Sequence, residues 1–210
     1  MNEQQVETTI YSFSQEPPAP DNRRESERHL TLFRVGSMTV GGHRELCLIK
    51  NISAGGMKLR VYSPVDPGET LTIELKCGQP IAGKVIWADS DSVGVAFDEP
   101  IDVIELLSAS MNGPKPRMPR IATSTFATVR EGASVYRFRA CDISQGGMKL
   151  QSETVLPPNS DIVVTMSGLE PLPGVVRWCA DGFVGITFNR LIPLAELVDW
   201  LQAQRASQAA

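Results

Sequence analysis

Asn51-Ile52-Ser53-Ala54-Gly55-Gly56-Met57-Lys58-Leu59 and Asp142-Ile143-Ser144-Gln145-Gly146-Gly147-Met148-Lys149-Leu150 are one motif written twice, 91 residues apart. The same offset carries Val85 to Val176, Trp87 to Trp178, Gly94 to Gly185 and Phe97 to Phe188. So many rare residue types aligned at one spacing identify two copies of one domain, and a repeat of this kind governs every later assignment. A chain of 210 residues holds two domains of about 90 residues comfortably.

Outward from the motif, each copy alternates apolar and polar residues. Met57, Leu59 and Val61 point one way, as do Leu71, Ile73 and Leu75, and later Val93, Val95 and Phe97. A period of two marks half-buried strands. Turn-forming clusters interrupt them at Gly41-Gly42, Asp66-Pro67-Gly68, Gly78-Gln79-Pro80 and Asp89-Ser90-Asp91, and in the second copy at Pro157-Pro158-Asn159 and Asp181-Gly182. Short strands at this spacing predict an antiparallel barrel or sandwich. Each copy then ends in a helix-like run, Ile101 to Leu107 and Leu194 to Leu201, whose apolar face is suited to closing the open end of a barrel. The organisation expected is a disordered tail over 1–20, a first domain over 21–110 and a linker over 111–116. A second domain over 117–203 and a disordered tail over 204–210 complete it. The linker holds Gly113, Pro114 and Pro116, which stop helix continuation, and its shortness predicts barrels that lean on each other.

Hydrophobic residues make up 42% and charged residues 21% of the chain, the balance of a folded domain, and the net charge is −4. The whole molecule therefore has no general attraction for nucleic acid or acidic membranes, and a polyanion has to be caught by a local basic cluster. No stretch reaches membrane-spanning length, and the polar, acidic N-terminus lacks the features of a signal peptide. Cys47, Cys77, Cys141 and Cys179 are scattered without CxxC pairing or nearby histidines. No metal site and no disulfide framework is expected; Cys47 and Cys141 read as buried free thiols, and a cytoplasmic location follows. Met57, Met148, Trp87 and Trp178 read as core or barrel-mouth packing.

One constellation is suited to ligand chemistry. Arg23, Arg24 and Arg28 fall within six residues ahead of the first strand. Guanidinium groups bind phosphate oxygens bidentately and stack on base faces. The Asn51-x-Ser53-x-x-Gly56 turn offers an amide and a hydroxyl suited to a base edge, with glycines that admit a close approach. An anionic ligand carrying a purine satisfies all of these groups together. The structural alternative is an Asx-type hairpin capped by its own side chains beside a solvated arginine run.

An RxxxR element (Arg24 and Arg28) followed by [D/N]xSxxG (Asn51, Ser53, Gly56) resembles the PilZ domain, and two tandem copies of that resemblance cover the chain from about Arg23 to Leu201. The resemblance implies an all-β fold with minor α: two tandem six-stranded antiparallel β-barrels, each followed by a C-terminal helix. It also implies cyclic di-GMP as ligand, with no cofactor. Arg24 and Arg28 would clamp phosphates and stack on guanine; Asn51 and Ser53 would bond the guanine edge, and Gly55 and Gly56 would leave room. Arg23 would accompany an intercalated ligand dimer. The second copy keeps Asp142, Ser144 and Gly147 but has Pro116 four residues before Arg120. Arg117 and Arg120 therefore leave it a weak or silent second site.

No nucleophile, zinc or phosphate-loop motif accompanies these residues, so the chain is not expected to be an enzyme. The expected function is a cyclic di-GMP effector sensing through the first domain and changing conformation or affinity for a protein partner. The alternative is a nucleotide-independent adaptor acting through protein contacts. Nucleic-acid partners and membrane insertion are not expected.

Overall fold

The computed structural model describes residues 30–75, 80–106 and 117–209, and side chains within 33–75, 80–106 and 117–207. The expected tail over 1–20, Arg23, Arg24, Arg28, Cys77 and the linker over 111–116 lie outside these residues.

The first barrel is built from β1 (Leu30–Val40), β2 (His43–Ser53), β3 (Gly56–Arg60), β4 (Thr70–Glu74), β5 (Pro80–Asp89) and β6 (Ser92–Phe97). It closes in the order β1-β2-β3-β6-β5-β4. The second comprises β7 (Ile121–Ala122), β8 (Phe126–Glu131), β9 (Ser134–Ser144), β10 (Gly147–Gln151), β11 (Asp161–Thr165), β12 (Leu172–Ala180) and β13 (Phe183–Phe188). Its ring runs β10-β13-β12-β11-β8-β9 and closes through β9 with β10, while β7 lies on β9. Every strand start after the first pair, except β12, falls 91 residues after its counterpart. β7 and β8 together repeat β1, which is itself irregular between Thr31 and Arg34. Two six-stranded antiparallel rings with helices are thus what the repeat predicts.

Alternation places Met38, Ile49, Leu59 and Ile73 inside the first ring and Ile143, Met148, Leu150 and Ile186 inside the second. Met57 and Met148 are core residues as expected. Sharp turns use the residues that tolerate positive φ: Gly41-Gly42 (φ 55 and 81) and Asp181-Gly182 (φ 51 and 76). Helix α1, described over 103–106, is capped by the Asp102 carboxylate, which accepts from the Glu105 N–H at 2.9 Å. Its Val103 and Leu106 bury against the first core.

Helix α2 (Leu194–Ala209) buries Leu197, Val198, Trp200 and Leu201 against the second core. It runs beyond residue 203, where the sequence placed a disordered tail, because its last turns have a partner. The Arg205 guanidinium pairs with Glu45 and donates to the Arg44 carbonyl at 2.7 Å, and the Gln202 amide donates to the Tyr62 carbonyl at 2.7 Å. Leu46, Val35 and Tyr62 of the first barrel join the second barrel's apolar cluster. One helix therefore closes its own barrel and holds the other. Among the described residues no helix is long and apolar enough to cross a membrane.

Candidate basic pocket beside the turn motif

The [D/N]xSxxG turn makes the same internal bonds in both barrels. Ser53 Oγ donates to the Gly56 carbonyl and Ser144 Oγ to the Gly147 carbonyl, each at 3.1 Å. A hydroxyl has one proton to give, so a ligand meeting either serine meets an acceptor. The Phe97 N–H donates to the Gly55 carbonyl and the Phe188 N–H to the Gly146 carbonyl, both at 3.0 Å. The motif glycines answer first to the barrel. A Cβ on Gly56 would fall 2.4 Å from the Val95 carbonyl oxygen, and one on Gly147 would fall 2.2 Å from that of Ile186.

The turns and the strands beside them carry one further repeated device. Both β2 and β9 carry an extra residue where they pair with β3 and β10, Lys50 and Cys141. Both β5 and β12 carry one before their tryptophan, Ile86 and Arg177. A bulge turns the side chains after it to the other face. Trp87 and Trp178 consequently lie on the outer surface over Gly94 and Gly185, and Trp178 is 43% exposed. Of the two packings expected for the tryptophans, core or barrel mouth, the core one is corrected. Cys141 likewise is only half-buried at its bulge, whereas Cys47 is fully buried, and burial pushes its thiol up to about 12.

In the second barrel these features surround an open cavity of about 670 Å³. Its lining includes Arg117 and Arg120, Asp142 and Ser144 of the turn, and Lys149, Arg177 and Trp178. Arg120 pairs with Asp142. Lys149 holds its ammonium over the Phe183 ring at 3.8 Å. Arg117 and Arg177 enter no ion pair with another described residue. Four cations against one carboxylate make an anion pocket, with an indole face for stacking.

The structure thus brings Arg117, Arg120, Asp142 and Ser144 together around one cavity, with Gly147 at the base of the turn. It adds Lys149, Arg177 and Trp178, which sequence reasoning did not assign. Their signal was present: Lys149 belongs to the repeated motif, and Arg177 replaces Ile86 at an otherwise matching position. In the first barrel Asn51 and Ser53 occupy the same turn, Lys58 lies over Trp87 at 5.4 Å, and Ile86 is 60% exposed. The arginines expected to complete that site, Arg23, Arg24 and Arg28, lie outside the described residues.

The family model described as the PilZ domain matches residues 22–110 and again 114–203. No curated protein matches the chain. Among solved structures, PlzA of Borreliella burgdorferi in complex with c-di-GMP shares 13% identity over 80% of this chain and 86% of that one, with a TM-score of 0.38. YcgR of Escherichia coli in complex with c-di-GMP shares 15% over 84% and 85%, with a TM-score of 0.35. The inhibitor of motility MotI/DgrA of Bacillus subtilis shares 9% over 86% and 100%, with a TM-score of 0.34. At these identities the likeness does not extend to a ligand or a role.

Proposed function

The chain belongs to the PilZ domain family, and from that premise we propose that it is a cyclic di-GMP-binding effector without catalytic activity of its own. The observation that carries the reading is the pocket beside the DxSxxG turn, where Arg117, Arg120, Lys149 and Arg177 converge with Trp178. A cyclic dinucleotide has two phosphodiester charges and two purine faces, and guanidinium groups with an indole are matched to both. The first barrel holds the complete motif and is the principal sensor, through Arg24, Arg28, Asn51 and Ser53, with Arg23 favouring an intercalated ligand dimer. The second barrel is an additional site. Arg177 supplies there a cation that the first barrel lacks at Ile86, which offsets the missing motif arginine at Pro116.

Binding changes the chain because the two barrels share helix α2. Ligand contacts at the arginine segment ahead of β1 alter the strand against which α2 packs through Val35. Affinity for a protein partner is the output, in the cytoplasm.

Isothermal titration of cyclic di-GMP into the full-length chain tests the reading. Micromolar or tighter binding is expected, with most of the heat lost in Arg24→Ala/Arg28→Ala and a weaker remainder lost in Arg117→Ala/Arg177→Ala. Stoichiometry above one ligand per barrel marks the dimer. Absence of heat in the wild type at high ligand concentration overturns the effector reading in favour of a nucleotide-independent adaptor.

A further inference from the structure

Helix α2 covers the outer face of β1 and β2 in the first barrel, and among the described residues no element covers the same face of the second barrel. In the first, Leu46 and Val35 of that face are packed in a cluster with Val198 and Leu201 of α2. The guanidinium that face carries among the described residues, that of Arg44, donates to Glu74 at 2.6 Å and to the Ser37 hydroxyl at 2.9 Å. The 91-residue offset maps Val35 to Phe126, Leu46 to Arg137, Leu48 to Arg139, Thr39 to Arg130 and Glu74 to Thr165. The acid is gone, and three arginines stand where the first barrel has Leu, Leu and Thr.

The register shows that these residues form one surface. Phe126 faces Arg139, Thr128 faces Arg137 and Arg130 faces Val135 across β8 and β9. Directly opposed residues of an antiparallel pair project on the same side, and all six are exposed, Phe126 at 54% and Val135 at 61%. The Arg137 guanidinium lies 4.4 Å over the Phe126 ring, which orders it without neutralising it. None of the three arginines forms an ion pair with another described residue. On a chain of net charge −4, three uncompensated guanidiniums around an exposed aromatic select an anionic, partly apolar partner.

We propose that the β8–β9 face is the docking surface for an acidic amphipathic helix of a partner protein, seated as α2 is seated on the first barrel. The helix form follows from the repeat, since the equivalent face of the same fold takes a helix by an i, i+3, i+4, i+7 stripe of Val198, Leu201, Gln202 and Arg205. The acidic character follows from charge: the stripe that meets Leu46 and Glu45 carries Arg205, and the one that meets Arg137 and Arg139 has to carry carboxylates. Phe126 and Val135 supply the apolar contact.

The test uses a stapled, fluorescent peptide of the α2 sequence 194–209 bearing Gln202→Glu and Arg205→Glu, titrated with the full-length protein and read by anisotropy. Tighter binding than the unaltered α2 peptide and than a permuted peptide of identical composition is expected, by about tenfold or more, and it weakens with salt. Arg130→Glu/Arg137→Glu/Arg139→Glu abolishes it and Phe126→Ser alone weakens it, each with an unchanged melting temperature. Arg190→Glu, a charge reversal elsewhere, leaves it intact. Equal affinity for the permuted peptide, or no saturation with wild-type protein, refutes the helix seat. A fluorescent oligothymidylate bound more tightly, and lost in the triple variant, assigns the face to nucleic acid instead. A concentration-dependent dimer abolished by the same variant assigns it to a second copy of the chain.

Discussion

Alanine at Gly185 puts a methyl group where the Trp178 indole lies. The added Cβ would stand 2.1 Å from Nε1 and 2.2 Å from Cε2 of that ring. Carbon contacts settle near 3.5 Å, so the ring has to withdraw by about 1.4 Å or swing off the barrel. Trp178 is 43% exposed, so somewhat over half of its surface is covered. A tryptophan buries about 150–250 Å², so roughly 100 Å² is lost, equivalent to about 2.5 kcal/mol as an upper figure. Replacing glycine in a strand returns about 0.5–1 kcal/mol. The net destabilisation expected is about 1.5–2 kcal/mol. Urea unfolding followed by circular dichroism on wild type, Gly185→Ala, Trp178→Ala and the double variant reads the coupling. With the indole removed, the alanine should keep only its gain of about 0.5–1 kcal/mol, which gives a coupling energy of about 2.5 kcal/mol. An equal cost in both backgrounds would refute the account, because the clash would then be with the backbone and not with the ring.

Three further outcomes are expected. Gly147→Ala meets the Ile186 carbonyl oxygen at 2.2 Å, a backbone atom that cannot step aside, so it lowers stability by about 1–3 kcal/mol without any ligand; unchanged urea unfolding would show that the glycine serves ligand approach alone. Arg205→Ala removes the Glu45 pair and the bond to the Arg44 carbonyl, and a double-mutant cycle with Glu45→Ala should give a coupling of about 1 kcal/mol, with no coupling showing that α2 holds the first barrel through apolar contacts only. Cys47, whose thiol is pushed from 9.0 to about 12 by burial, should resist alkylation at pH 8 in the folded chain while Cys141 and Cys179 react. Because its folded value is the higher one, the fold favours the protonated thiol; that stability is complete below pH 9 and is lost as pH rises toward 12. Prompt native-state labelling of Cys47 would contradict its burial.

The repeat made the fold legible. Alternation in Met57-Lys58-Leu59 and Leu71-Thr72-Ile73, turn residues such as Gly41-Gly42, and the recurrence of each at 91 residues are local signals, and strand formation with one buried face is a local consequence of them. The PilZ resemblance rested on the same short segments, and the family match follows it along both copies. Half of the candidate site was legible for the same reason: Arg117, Arg120, Asp142 and Ser144 lie in or just ahead of a motif.

What the tertiary structure alone decided depends on residues that meet from far apart. Arg177 and Trp178 reach the pocket because a bulge in β12 turns the strand's faces over, and a period-two pattern read along one strand carries no sign of where its partner slips. Trp87 and Trp178 left the core for that reason, and Cys141 became half-exposed at a second bulge. The run of α2 to Ala209 is set by Glu45 and the Arg44 carbonyl, some 160 residues earlier in the chain. Nothing in the Gln/Ala/Ser composition of the last residues announces such an anchor. Local periodicity fixes which residues form a strand, whereas the surface each side chain finally meets is settled by long-range packing, which a linear pattern does not encode.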